Sequence, residues 1–157
     1  MGEFLNRILL HCFYPLYKII CKKNPSETLN NFWIIAYRNK GFYPSSNTIK
    51  SGKWLIFTNI NEVDLLWQTI KSATENGLLG NSSKVATAKP NPNAKDPNEK
   101  VICVYTYNFE DKDDVMRVRQ VLRSLGITKK IPYKTDIKTL QGEYQINGKN
   151  RISLYYE

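Results

Sequence analysis

The side chains of this 157-residue chain best suited to chemistry are lysines set close to aromatic rings. Lys84 follows Ser82 and Ser83, while Lys89, Lys95 and Lys100 lie on or beside a polar stretch. Tyr133-Lys134-Thr135-Asp136 sets an ammonium and a carboxylate two residues apart, which places both on one face if the strand continues. A lysine is a compact point charge that suits phosphate, and a neighbouring tyrosine or tryptophan face can stack on a base. The candidate binding set is therefore Lys84, Lys89, Tyr105, Tyr133, Lys134, Asp136 and Tyr144, with Lys129, Lys130, Lys138, Lys149 and Arg151 extending the positive region. Against this stand two plainer readings: an ordinary surface ion pair for Lys134 and Asp136, worth little energetically, and simple solubility for the loop lysines.

Other chemistries lack their parts. No glycine-rich loop ends in Lys-Ser or Lys-Thr, and there is neither a Gly-x-Gly-x-x-Gly stretch nor a Gly-x-Ser-x-Gly elbow. The single histidine, His11, lies in an apolar N-terminal run, where an imidazole base or a zinc site is not expected. No catalytic residue, metal or cofactor is assigned on this basis. Cys12, Cys21 and Cys103 are odd in number and not at metal-ligand spacing, and Cys103 sits inside the apolar run Val101 to Tyr105. That is the pattern of buried thiols in a reducing compartment, so a cytoplasmic location is expected. The formal charge of +9 raises the local concentration of anions and favours nucleic acid, phosphorylated ligands or acidic surfaces.

The elements that must position these groups can be read from periodicity. Residues 1–25 form an amphipathic segment in which Arg7, His11, Pro15 and Lys18 interrupt the apolar side chains, so a bilayer-spanning helix is not expected. A signal-peptide cleavage site and a myristoylation signal are both missing. The expected role is a helix packed on the domain, with an interfacial contact to anionic lipid through residues 1–23 as the alternative. Residues 26–157 then make one α+β domain. Strands are expected at 32–37, 53–57, 83–88, 101–107, 131–134 and 152–156. One helix is capped by Asn61, buries Val63, Leu66, Trp67, Ile70 and Ala73, and stops at Gly77. A second is capped by Asp111, buries Val115, Val118, Leu122 and Leu125, ends at Gly126, and pairs Asp113 with Arg117. Lys89 to Lys100 is a proline-rich loop, and Gly142 and Gly148 mark turns. The order predicts a mixed, mainly antiparallel sheet with helices on one face.

Several segments together resemble one family. They are Trp33-Ile34-Ile35-Ala36-Tyr37 with Gly41-Phe42-Tyr43-Pro44, Ser51-Gly52-Lys53-Trp54-Leu55, Ser83-Lys84-Val85, and Val101-Ile102-Cys103-Val104-Tyr105-Thr106. They continue with Tyr133-Lys134-Thr135-Asp136, Thr139 with Gly142 and Tyr144, and Leu154-Tyr155-Tyr156-Glu157. In order and spacing this resembles the basophilic-leukaemia-expressed protein family over about residues 32 to 157. The resemblance implies a fold similar to the cap-binding translation initiation factor 4E, a curved antiparallel sheet backed by helices. It does not carry over the two tryptophans with which cap-binding factors sandwich methylated guanine, because residues 45–50 contain neither a tryptophan nor an acid. It places Tyr105 or a neighbour near the last cap-proximal position and keeps one phosphate-side cation, Lys89.

The expected function is binding of RNA, a nucleotide or another phosphate-bearing ligand. One alternative is a lyase or transferase acting on a phosphorylated substrate, since some members of that family carry a phosphothreonine lyase label. Lys84 or Lys134 would then serve as base, and a tyrosine as acid. The other is a protein-interaction scaffold recruited through the N-terminal segment.

Overall fold

The computed structural model describes residues 23–45, 49–92, 94–140 and 153–157. The expected N-terminal helix, the turns at Gly142 and Gly148, and Tyr144 lie outside the described residues or nearly so. The strands are β1 (Trp33–Tyr37), β2 (Gly52–Asn59), β3 (Ser82–Ala86), β4 (Glu99–Thr106), β5 (Pro132–Thr135) and β6 (Tyr155–Tyr156). The helices are α1 (Val63–Glu75), α2 (Lys112–Ser124) and α3 (Asp136–Leu140). The strands form one curved six-stranded sheet in the order β1-β3-β4-β2-β5-β6, every neighbouring pair antiparallel.

Period-2 alternation sorts the side chains between two faces. Trp54 and Ile56 of β2, Val85 of β3, Ile102 and Val104 of β4 and Tyr133 of β5 point to the helix side and are almost fully buried. From α1, Val63, Trp67, Ile70 and Ala73 meet them at helical spacing, and from α2 Val115, Val118 and Leu122 do the same. Burying each large side chain of this set contributes about 2 kcal/mol, and these terms dominate the stability of the sheet–helix sandwich.

Most polar side chains buried in this layer have partners, the Thr135 hydroxyl being an exception. The Trp54 indole N–H donates to the Val115 carbonyl at 3.1 Å. The Tyr133 and Thr106 hydroxyls share a hydrogen bond of 2.7 Å. Arg119 is fully buried, and its guanidinium donates to the carbonyls of Ile127, Lys129 and Glu157 at 2.8, 2.8 and 3.1 Å. This arginine holds the α2–β5 connection against the end of β6, so it serves structure. Gly52 is required by contact: a Cβ there would stand 2.2 Å from the Tyr133 hydroxyl oxygen.

Several local expectations are corrected. The N-cap of α1 is Glu62, without a side-chain capping bond, while Asn61 donates its N–H to the Asn59 side chain. Asp64, in the first turn, instead accepts from the Ser26 N–H and hydroxyl and anchors the 3-10 turn Pro25–Glu27. In α2, Asp111 caps as expected by accepting from the Asp114 N–H at 3.1 Å, but Arg117 pairs with Asp114 rather than Asp113. β6 is shorter than the strand expected at 152–156, and the condition that the β5 strand continue to Asp136 is not met, because α3 begins there. Asp136 therefore does not continue a strand beyond Lys134.

Candidate functional site

The face of the sheet turned away from α1 and α2 carries the lysines. Trp54 pairs with Val104 on the core side, so Lys53 and Tyr105, the next pair along, lie on the opposite, concave side. Lys53 is also opposite Lys134 of β5. A second row runs Ile35, Lys84, Cys103 and Leu55 across β1, β3, β4 and β2. A third holds Trp33 opposite Ala86 and Val101 opposite Phe57. Residues far apart in sequence are thus brought to one surface by strand pairing.

Cations and rings alternate over this face. The Lys84 ammonium lies 4.1 Å from the centre of the Trp33 ring and 5.7 Å from that of Tyr105. Lys53 reaches the Tyr105 ring from the other side, at 5.4 Å. Such cation–π contacts contribute on the order of 0.5–2 kcal/mol each. Lys53 is the more buried of the two and forms an ion pair with Asp136, whose other carboxylate oxygen accepts from the Ser51 hydroxyl at 2.6 Å. Like charges directly opposite across a strand pair are unfavourable, so a carboxylate beside Lys53 and Lys134 has an electrostatic reason to be there.

Burial raises the Tyr105 phenol well above its ordinary pKa, which keeps it protonated and able to donate a hydrogen bond. Burial also pushes the Cys103 thiol up to about 11, although Lys84 and Lys53 pull in the other direction. Cys103 is 4% exposed and acts as a small apolar floor residue.

The third row forms the floor of a cavity of about 630 Å³, a size typical of small-molecule sites. Trp33, Ala86, Val101 and Phe57 line it from the sheet, Phe32 from the segment before β1, and the β3–β4 loop supplies Lys89 and Lys95. Lys89 lies 4.3 Å from the Phe32 ring centre and donates to the Asn30 carbonyl at 3.2 Å. Trp33 belongs to both the cavity and the Lys84 contact, so the cavity opens beside the lysine row.

The structure brings Lys84, Tyr105, Lys134 and Asp136 to the concave face and Lys89 to the adjoining cavity. Tyr133 is a correction. Alternation sends its side chain to the core, where it is fully buried, packs edge-on against Trp54 at 5.1 Å and cannot frame a ligand. Tyr144 is outside the described residues. Sequence reasoning passed over Trp33, Phe57 and Lys53. For Lys53 the signal was present: once Trp54 is placed in the core, its strand neighbour must face the other way. Among the described residues no group of His, Cys, Asp and Glu could hold a metal ion, and no helix is long and apolar enough to cross a membrane.

Comparison with known proteins adds two findings. Residues 44–141 match the model of the family described as basophilic leukemia-expressed protein Bles03. Solved structures of eIF4E share the fold. Ascaris suum eIF4E-3 in complex with the m2,2,7G cap is similar at 17% identity and a TM-score of 0.57, over 93% of this chain and 79% of that one. Schistosome eIF4E complexed with m7GpppA and 4E-BP is similar at 10% identity and a TM-score of 0.62, over 90% and 79%. At these identities the likeness is one of fold.

Proposed function

The chain belongs to the basophilic leukemia-expressed protein Bles03 family, and from that premise and its concave face we propose that it binds RNA or a nucleotide through a base and a phosphate held side by side. The carrying observation is Lys84, set near the Trp33 and Tyr105 rings, with Trp33 also lining the aromatic-floored cavity. A planar base enters the cavity against Trp33 and Phe57. Its phosphate meets Lys84, with the protonated Tyr105 hydroxyl as a further donor and Lys53 and Lys134 adding field. Lys89 and Lys95 draw the ligand toward the cavity from the loop side.

Two observations support this reading over a purely solvated basic surface. The lysines converge on one face across separate strands, and an aromatic-lined cavity adjoins them. The eIF4E structures that share the fold hold cap nucleotides, which agrees with a nucleotide as the ligand class.

The test is a titration of the full chain with m7GpppG, GpppG and a short single-stranded RNA, followed by tryptophan fluorescence at several salt concentrations. Binding is expected to weaken steeply with salt. Lys84→Ala is expected to lower affinity about tenfold, or ~1.4 kcal/mol. No binding of any of the three at low ionic strength, or an affinity indifferent to Lys84→Ala, overturns the proposal.

A further inference from the structure

Among the described residues no strand pairs with the outer edge of β1, and the chemistry of that edge specifies a partner. Thr87 donates its N–H to the Phe32 carbonyl and Arg38 donates to the Asn81 carbonyl. With the register Trp33 to Ala86 through Tyr37 to Ser82, these bonds set the phase of the whole strand. The main-chain groups of Phe32, Ile34, Ala36 and Arg38 turn inward to β3. Those of Trp33, Ile35 and Tyr37 turn outward, where β1 has no neighbouring strand among the described residues. The Ile35 and Tyr37 side chains are 48% and 63% exposed, and Phe42 beyond them is 91% exposed.

Edge strands are usually blunted by a charge, a proline or a bulge, because unpaired N–H and C=O groups are a template for another strand. Trp33-Ile34-Ile35-Ala36-Tyr37 has none of these. The segments that carry the edge are cationic and free of acids in sequence: residues 28–61 contain no Asp or Glu, nor do residues 76–95, and the acids lining the adjoining cavity, Asp96 and Glu99, come from the far end of the β3–β4 loop and from β4. Lys84 lies directly across from Ile35, Lys89 sits beside Phe32, and Arg38 and Lys40 follow the far end of the strand.

We propose that this edge is a docking site for an extended, acidic segment of a partner protein, which adds a strand to the sheet. Main-chain hydrogen bonds to Trp33, Ile35 and Tyr37 supply the pairing, and Ile35 and Tyr37 receive apolar side chains at alternate positions. Carboxylates flanking those positions meet Lys84 and Lys89 at one end and Arg38 and Lys40 at the other. A second copy of the chain fits less well, because antiparallel self-pairing would set these same cations against one another.

The test uses the full chain, isotopically labelled, with two synthetic peptides blocked at both ends: Glu-Asp-Val-Thr-Val-Asp-Glu and Lys-Arg-Val-Thr-Val-Arg-Lys. With the acidic peptide, amide exchange at Trp33, Ile35 and Tyr37 is expected to slow at least tenfold. Ile34 and Ala36, already bonded to β3, are expected to change little. Ile35→Pro deletes an outward N–H without touching an internal bond, and is expected to abolish the protection at Trp33 and Tyr37. Ile35→Glu keeps the backbone and places a like charge on the edge, so it is expected to weaken binding of the acidic peptide. The proposal fails if the acidic peptide protects none of the three amides, if the basic peptide protects them equally, or if Ile35→Pro, folded by circular dichroism, binds unchanged. It fails also if the three amides are already protected in the chain alone by a concentration-dependent dimer, since the occupant is then a second copy.

Discussion

Lys53 of β2 and Asp136 of α3 are joined in an ion pair on the concave face, with only 10% and 19% of their side chains exposed. Removing one partner of such a pair strands the other's charge, here next to Lys134. Asp136→Ala is therefore expected to destabilise the fold by about 3 kcal/mol, read from the midpoint of urea unfolding. Adding Lys53→Met to that variant is expected to restore most of the loss, because a buried pair replaced by apolar side chains is often close to neutral. A double variant no more stable than Asp136→Ala alone would show that the carboxylate acts through Ser51 or α3 instead.

The cavity floor separates binding from stability. Val101 lies between Ala86 and Phe57 in the third row and is only partly buried. Val101→Trp is expected to fill the space meant for the base and to weaken nucleotide binding at least tenfold, while the unfolding midpoint moves little. Equal affinity in the variant would mean that the base lies elsewhere.

Alkaline pH is expected to loosen the fold. Cys103 has its thiol pKa raised from 9.0 to about 11 by burial, and burial also raises the phenols of Tyr43, Tyr105 and Tyr133. Raised native values mean that the folded state holds these protons more tightly than the unfolded chain. The Cys103 contribution to stability is whole below pH 9 and declines as pH climbs from 9 through 11, while that of the tyrosines begins to decline only above pH 10. Urea midpoints measured from pH 7 to 11 are expected to fall above pH 9, and Cys103→Ala is expected to make that decline shallower. At pH 8 peptide mapping after iodoacetamide treatment is expected to find Cys103 unmodified in the native protein and modified in urea.

Gly52→Ala tests how tightly β2 and β5 are packed. The new methyl would meet the Tyr133 ring and hydroxyl at 2.2–2.8 Å, and Tyr133 has no room to withdraw because it packs on Trp54 and Tyr155. Overpacking of this kind costs about 1–3 kcal/mol, measurable in the same urea assay. Because Tyr133 and Lys134 are neighbours, nucleotide affinity is expected to drop as well.

The layered architecture was legible in the sequence because its signals are local. Val63, Trp67 and Ile70 fall on one helical stripe, and Val101 to Tyr107 alternates and branches like a strand. The candidate site was legible only in part, for reasons of register. Lys84 and Lys134 were visible as cations near rings, but which rings depends on pairing: Lys84 meets Trp33 because β1 runs antiparallel to β3, a long-range fact. Tyr133 was misread because a tyrosine beside a lysine looks like a ligand platform until Trp54 claims it for the core. Arg119 gave no local signal, since its three carbonyl partners lie in a connection and at the end of β6. Asp136 reaches Lys53 from the start of α3, a helix with no counterpart among the expected elements.

The lysine–aromatic surface draws single residues from β1, β3, β4, β2 and β5, and none of these strands carries enough of it to hold a ligand alone. On the proposed reading a half-assembled chain is consequently blind to the ligand, and recognition becomes a readout of completed folding. By mass action, whatever occupies that surface also clamps every one of those strands at once, so saturation at a hundred times the dissociation constant adds about 2.7 kcal/mol to the whole sheet rather than to one corner of it.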